Sequence, residues 1–180
     1  MKIKTLAIIG TAGRGEDAKK LTINHWRRMC DAGRKIYELE NCCSLVSGGA
    51  AYADHVAVEI GYYSIPTTIW LPKKESDIET AKYYHKKFSE VVGYNTWQQL
   101  TITDVAPPWE DIIEPNIQSF GGFKDRNTKV AEQADVFLAM TFGDREKVKD
   151  GGTADTVVKM QSRGIEGYHL DLNALKMYKI

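Results

Sequence analysis

Three glycine-containing loops of this sequence have the composition of anion-binding sites. They are residues 10–15 (GTAGRG), residues 47–49 (SGG) and residues 143–153, which end in the letters DGGT. Glycine lets a backbone come close to a ligand, and the first N–H groups of a helix attract anions, phosphates above all. The same glycines could serve only the tight turns between strands and helices. Because all three loops follow predicted strands, we expect a phosphate-bearing ligand to lie across them.

The spacing of these loops argues against two well-known phosphate-binding motifs. The first loop reads G-x-x-G-x-G instead of the dinucleotide fingerprint G-x-G-x-x-G, and no Walker lysine follows any of the loops. The sequence therefore argues against an NAD-dependent dehydrogenase with the dinucleotide fingerprint and against a P-loop NTPase. In the third loop, Thr153 could cap the following helix or offer its hydroxyl group to an oxyanion.

Hydrophobic patterns predict an alternation of strands and helices along the chain. Short apolar runs predict strands at residues 6–9, 44–47, 67–71, 135–142 and 167–172. Apolar residues at steps of three and four predict helices at residues 17–40, 52–62, 79–92, 129–134 and 153–163. This alternation predicts an α/β fold, with a doubly wound, mainly parallel sheet and helices on both faces. Ligands bind such a sheet beyond the carboxyl ends of its strands, where the glycine loops would lie.

The chain length suits one domain with a sizeable core, and we expect residues 1–180 to form a single domain. Residues 94–123 show no clean period and contain Pro107, Pro108 and Pro115. We expect this segment to be an irregular insertion that serves as a lid or a contact surface, because long loops in compact domains are usually functional.

The overall composition argues against several classes of binding partner. Lys plus Arg and Asp plus Glu both number 24, and this neutral balance argues against a nucleic-acid or membrane partner. No apolar run approaches the ~18 residues of a membrane span. The cysteines, Cys30, Cys42 and Cys43, form neither a disulfide framework nor a zinc spacing, which favours a reducing cytoplasm. The histidines are scattered without metal-ligand spacing, so we expect neither a metal nor a cofactor.

Two glycine motifs together resemble a known superfamily. The stretch VSGGAAYADHVAVE at residues 46–59 and the stretch DGGTADTVVKMQSRGI at residues 150–165 are similar to motifs of the SLOG superfamily of Rossmann-like proteins. That superfamily includes the DNA-processing protein DprA, the cytokinin-activating LOG phosphoribohydrolases and many small nucleotide-ligand domains. The resemblance covers most of the chain outside the segment 94–123. Arg126 adds to it, because LOG-like relatives place an arginine ahead of the helix that leads into a strand.

The resemblance implies a ligand site and the roles of its residues. Gly48, Gly49 and Asp54 would begin the site, with Asp54 bonding ribose hydroxyl groups or a neighbouring loop. Arg126 would act as a charged donor, since the guanidinium group can grip a phosphate or carboxylate in two places. Residues 151–153 would form the phosphate cradle. The full set of predicted ligand-binding residues is Gly10, Thr11, Gly13, Ser47, Gly48, Gly49, Tyr52, Asp54, Arg126, Gly151, Gly152 and Thr153.

The chain departs from the superfamily pattern at two places. Tyr52 stands where relatives have a glycine, and its ring could loosen the loop or lie beside a ligand base. The LOG enzymes carry a catalytic glutamate shortly after their glycine loop, whereas the corresponding stretch here, residues 154–158, contains Asp155 as its one carboxylate. Hydrolysis of an N-glycosidic bond builds positive charge on the sugar, and Asp155 or Glu59 could stabilise it.

Three functions are compatible with these residues. The first is a binding module that captures a phosphorylated nucleoside or nucleotide-derived ligand as a sensor, carrier or sequestering protein. The second is a nucleoside 5'-monophosphate N-glycosidase of the LOG type. The third is single-stranded DNA binding of the DprA type, against which the neutral net charge argues. Superfamily relatives often dimerise through helices, so the resemblance also implies a homodimer.

Overall fold

The computed structural model describes residues 4–61, 65–101 and 116–180. Its strands are β1 (Thr5–Gly10), β2 (Ser44–Ser47), β3 (Thr67–Leu71), β4 (Asn116–Ser119), β5 (Val136–Thr141), β6 (Gly167–Asp171) and β7 (Lys176–Lys179). Its helices are α1 (Asp17–Lys20), α2 (Ile23–Leu39), α3 (His55–Gly61), α4 (Glu75–Val92), α5 (Thr96–Thr101), α6 (Phe123–Gln133) and α7 (Gly152–Gln161).

The strands form one sheet in the order β4-β3-β2-β1-β5-β6-β7. Every neighbouring pair is parallel except β6 and β7, which are antiparallel. The chain adds strands to one side of β1 first and then to the other, so the strand order reverses between β1 and β5. The predicted Rossmann-like α/β fold with a mainly parallel sheet is confirmed.

Helices cover both faces of the sheet, as the alternation of side chains along β1 shows. Leu6 and Ile8 belong to one core, together with apolar residues of α2, α3 and α4. Ala7 and Ile9 belong to the opposite core, together with apolar residues of α6 and α7. Because β1 is buried on both faces, its sequence reads as a continuous apolar run. Within the described ranges, no helix is both long enough and apolar enough to cross a membrane.

The prediction of one helix over residues 17–40 is wrong. The chain leaves the helical conformation at Leu21 and Thr22, which have extended backbone angles and separate α1 from α2. The hydroxyl group of Thr22 accepts a hydrogen bond from the backbone N–H of His25, so it caps the start of α2. The threonine side chain competes with the helix for backbone hydrogen bonds, and this explains why the helix is interrupted here. The apolar spacing continues across the break, so the sequence pattern does not show it.

Both ends of the segment 94–123 are regular where the sequence predicts irregular structure. They form α5 and the edge strand β4, whereas residues 102–115 lie outside the described residues. The strand β7 at the other edge of the sheet is also absent from the sequence prediction. Both edge strands are largely solvent-accessible and lack the apolar run of a buried strand. These two strands are ordered by their pairing with β3 and β6, because their own composition does not favour a strand.

Candidate ligand-binding site

A cavity of about 280 Å³ lies beyond the carboxyl ends of β1 and β5. Its walls come from the loop after β1, the turn before α3, the start of α6 and the start of α7. This is the place where the strand order of the sheet reverses, and open α/β sheets bind their ligands there. The parallel arrangement therefore brings the first and third glycine loops together at one site.

The predicted ligand-binding residues divide into two groups. Those that line the cavity are Gly10, Thr11, Asp54, Arg126, Gly152 and Thr153. Those that lie outside its lining are Gly13, Ser47, Gly48, Gly49, Tyr52 and Gly151.

A buried ion pair links the second glycine loop to α6. The Arg126 Nη1 atom donates a hydrogen bond to Asp54 Oδ2 over 3.0 Å, and each residue is only 5% exposed. Asp54 Oδ2 also accepts a hydrogen bond from the backbone N–H of Ala50, so Asp54 bonds a neighbouring loop. The Arg126 Nε atom is buried without a hydrogen-bond partner among the described residues. Arg126 thus lines the cavity, with its Nη1 donor engaged by Asp54 and its buried Nε donor unengaged.

Gly48 makes room for this ion pair. A Cβ atom added at Gly48 would lie 1.1 Å from Arg126 Nη1 and 2.8 Å from Asp54 Oδ2. The close approach at Gly48 is therefore to a protein side chain. We expect Gly48→Ala to lower the free energy of unfolding by about 1–3 kcal/mol, because the new methyl group displaces a packed guanidinium group. Urea unfolding followed by circular dichroism measures this loss. A matched control is Gly152→Ala, where the added Cβ meets only the Asn127 side chain at 3.7 Å.

Gly49 and Tyr52 are held by the core beneath the cavity. Gly49 has a φ of +66°, and an added Cβ would collide with the side chains of Leu71 and Ile69. Tyr52 is 3% exposed, and its ring centroid lies 4.4 Å from that of Phe88. The Tyr52 ring therefore packs in the core and does not border the cavity.

Gly13 and Ser47 also have structural partners. Gly13 has a φ of +71°, and an added Cβ would lie 2.6 Å from the Tyr52 ring. The Ser47 hydroxyl group is fully buried and donates a hydrogen bond to the Ile8 carbonyl oxygen over 2.6 Å. These two residues fix the loops that surround the cavity.

The start of α7 presents free backbone N–H groups to the cavity. The first N–H groups of a helix have no acceptor within the helix, and no described residue accepts from those of Gly152, Thr153 or Ala154. The Thr153 hydroxyl group donates to the Gly10 carbonyl oxygen over 3.1 Å, so it ties α7 to β1 and does not cap its own helix. The helix dipole adds partial positive charge at this end.

The start of α6 differs, because protein carboxylates already occupy it. Asp125 accepts from the backbone N–H of Gly122, and Asp77 accepts from that of Phe123. The start of α6 therefore already carries two protein carboxylates, whereas no described residue accepts from the first N–H groups of α7.

Several charged residues of the cavity are not among the predicted ligand-binding residues, although some of them belong to the predicted loops. Asp17 is 5% exposed and accepts hydrogen bonds from the Thr11 hydroxyl group over 2.6 Å and from the Lys149 ammonium group. Lys149 is 132 residues away from Asp17, and neither belongs to a recognisable motif. Arg14 and Asp150 also line the cavity. Only the order of strands in the sheet brings these charges to one place.

Comparison with known proteins identifies a family for this chain and does not indicate an activity. No protein-family model matches the chain. The uncharacterized protein R261 of Acanthamoeba polyphaga mimivirus is 32% identical over an alignment of 174 residues, and the match covers 87% of this chain and 90% of R261. The chain belongs to the R261 family. Among solved structures, the X-ray structure of TM1055 is similar with a TM-score of 0.49 and 13% identity, over 92% of this chain and 72% of that one.

In this member of the R261 family, the two carboxylates that the sequence suggested for catalysis, Asp155 and Glu59, are not part of the cavity lining. Asp155 is exposed and is not part of the lining. Glu59 also lies outside the lining, and its carboxylate accepts a hydrogen bond from the Tyr94 hydroxyl group over 3.1 Å. Burial and the neighbouring Glu59 raise the pKa of Tyr94 well above its usual range, so the phenol stays protonated as the donor.

The carboxylates that do line the cavity are Asp17, Asp54 and Asp150. Asp17 and Asp54 are engaged by Lys149 and Arg126, respectively. The carboxylate of Asp150 forms no ion pair with a described residue and accepts no hydrogen bond from one. Asp150 is thus the lining carboxylate that a ligand can meet without breaking an existing pair.

Proposed function

We propose that this chain binds a phosphorylated nucleoside or nucleotide-derived ligand in the cavity beyond β1 and β5. The observation that carries the proposal is the uncapped start of α7, which lines the same cavity as the buried Arg126 with its unpartnered Nε atom. A helix start and an arginine both favour oxyanions, and a phosphate group can accept several N–H hydrogen bonds at once.

The nucleoside part of the proposal rests on the resemblance to the SLOG superfamily. Both of its motifs contribute residues to the lining of this cavity, Asp54 from the first and Gly152 and Thr153 from the second. The engaged carboxylates also leave oxygen lone pairs that could accept hydrogen bonds from sugar hydroxyl groups. A sensor, a carrier and a sequestering protein would all use such a site without chemistry.

Placing a negative charge at the start of α7 should weaken phosphate binding and spare the fold. Gly152 has no positive φ, and an added Cβ meets only Asn127 at 3.7 Å, so Gly152→Asp can be accommodated. The new carboxylate would repel a phosphate group and compete for the free N–H groups. We expect the dissociation constant for the best-binding nucleotide to rise at least ~10-fold, as the loss of a charge-assisted contact implies.

The measurement is a thermal-shift screen with nucleoside mono-, di- and triphosphates, followed by titration calorimetry on the nucleotide that stabilises most. Gly152→Asn is the matched control, because it has the size of aspartate without the charge and should bind more tightly than Gly152→Asp. Equal binding by wild type and Gly152→Asp would contradict phosphate binding at α7. If no nucleotide stabilises the protein while single-stranded DNA binds in a salt-dependent way, the DprA-type alternative replaces this proposal.

A second candidate function is hydrolysis of an N-glycosidic bond, and the unengaged carboxylate of Asp150 favours it. A carboxylate beside the sugar would stabilise the positive charge that develops there while water attacks. Release of free base from a nucleoside 5'-monophosphate tests this function. Base release that is lost in Asp150→Asn and kept in Asp155→Asn would assign it to the cavity, whereas binding without base release would support the binding module.

A further inference from the structure

We propose that the ligand of this cavity carries a diphosphate group, with one phosphate at the start of α7 and the second bound by Arg14. The inference rests on the proposed function, because it concerns the same cavity. It comes from hydrogen-bond donors on three separate elements that have no acceptor among the described residues. These donors are the first N–H groups of α7, the Nε atom of Arg126 and the guanidinium group of Arg14.

The Arg14 guanidinium group is held in place while its donors stay free. Its central carbon lies 4.7 Å from the ring centroid of Phe123 and 5.2 Å from that of Tyr84. Contact with aromatic rings uses the face of a guanidinium group and leaves the N–H groups on its edge available. Among the residues that the structure describes, none accepts a hydrogen bond or forms an ion pair with this side chain. An arginine oriented in this way can grip a phosphate in two places at little further cost in side-chain entropy.

Arg14 differs from the other cations of the lining in its charge balance. Arg126 contacts the same Phe123 ring, at 5.4 Å from its centroid, but its charge is offset by Asp54. The charge of Lys149 is likewise offset by Asp17. Arg14 is the lining cation, within the described part of the chain, whose charge no carboxylate offsets.

The positions of the charges explain why the two phosphates would separate. Asp150 lies directly before the glycines that begin α7, and its free carboxylate disfavours a second phosphate on that side of the cavity. Arg14 belongs to a different wall of the cavity, the loop after β1, and its positive charge attracts the second phosphate there. Because both groups line one cavity of about 280 Å³, a single ligand that engages both of them needs two phosphates joined by a short link. A diphosphate meets this requirement.

The test compares inorganic phosphate with pyrophosphate, because these probes do not depend on the identity of the base. Titration calorimetry at constant ionic strength is run on wild type, Arg14→Gln and Lys20→Gln. Lys20 is the matched control, since its ammonium group also lies over an aromatic ring, 5.1 Å from the centroid of Phe142, but outside the cavity lining. Arg14 and Lys20 are both exposed, so neither change should disturb folding, and circular dichroism checks this.

We expect wild type to bind pyrophosphate at least ~10-fold more tightly than phosphate, the gain of one charge-assisted contact. Arg14→Gln should lose that preference and keep its phosphate affinity, whereas Lys20→Gln should behave as wild type. Equal affinities in wild type, or a preference that survives in Arg14→Gln, would overturn the inference and leave the proposed function standing. Failure of both anions and of every nucleotide in the screen would overturn the proposed function together with it.

Discussion

Asp54→Ala should lower the free energy of unfolding by about 3–5 kcal/mol, the usual effect of removing one partner of a buried ion pair. The guanidinium group of Arg126 would remain in a site where the residue is only 5% exposed. Asp54 is its ion-pair partner among the described residues, and its Nε atom has no hydrogen-bond partner there, so the variant would leave a buried charge unpaired. Urea unfolding monitored by circular dichroism gives the free energy.

The matched control is an exposed ion pair of the same kind of groups. Lys129 and Glu132 are paired at 3.0 Å on the surface of α6, and Glu132→Ala should cost less than ~1 kcal/mol because water screens the charge that remains. The double change Asp54→Ala with Arg126→Met removes both charges and should recover part of the loss. An effect of Asp54→Ala no larger than that of Glu132→Ala would show that the pair is not buried as described.

Mild acid should destabilise the protein through two histidines in the core between α3 and α4. His55 and His85 are fully buried, and their ring centroids are 5.3 Å apart. Burial lowers the pKa of His55 to about 3, with a further contribution from His85, and burial lowers the pKa of His85 to about 4. The Nε2 atom of His85 lies 2.9 Å from the Gly49 carbonyl oxygen, which can only accept, so the neutral ring is the donor.

The sign of the effect follows from proton binding. In the unfolded chain both histidines titrate near pH 6.5, whereas the folded protein keeps them neutral down to their lowered pKa values. Below pH 6.5 the unfolded state therefore binds more protons, and stability falls as the pH falls until the folded pKa values are reached. At pH 5 we expect a loss of about 2 kcal/mol for each histidine relative to pH 7.5.

Urea unfolding at a series of pH values between 5 and 7.5 measures this slope. His55→Phe is the informative variant, because the pocket is aromatic and the Nδ1 atom of His55 has no hydrogen-bond partner among the described residues. In this variant one histidine fewer takes up a proton on unfolding, so the free energy of unfolding should change about half as steeply with pH. Stability that is constant over this range would contradict the neutral state of the buried pair.

The sequence by itself determined the five inner strands of the sheet and the end of the sheet at which the cavity lies. Strands that are buried on both faces need apolar residues at almost every position, so β1 and β5 can be predicted from continuous apolar runs in the sequence. Glycine loops after parallel strands must lie at one edge of the sheet, and this alone predicted that Gly10, Gly152 and Thr153 would share a cavity. The exposed edge strands β4 and β7 were not predicted, because their composition lacks an apolar run and they are ordered by pairing with a neighbouring strand.

The tertiary structure alone decided which side chains face the cavity and which support it. Arg126 and Asp54 are 72 residues apart, and Lys149 and Asp17 are 132 residues apart, so no local pattern could pair them. Tyr52 and Gly48 looked like ligand contacts in the sequence, yet one packs on Phe88 and the other makes room for Arg126. Local sequence fixes where the backbone turns, whereas the partner of a buried charge depends on which distant strand the sheet places beside it.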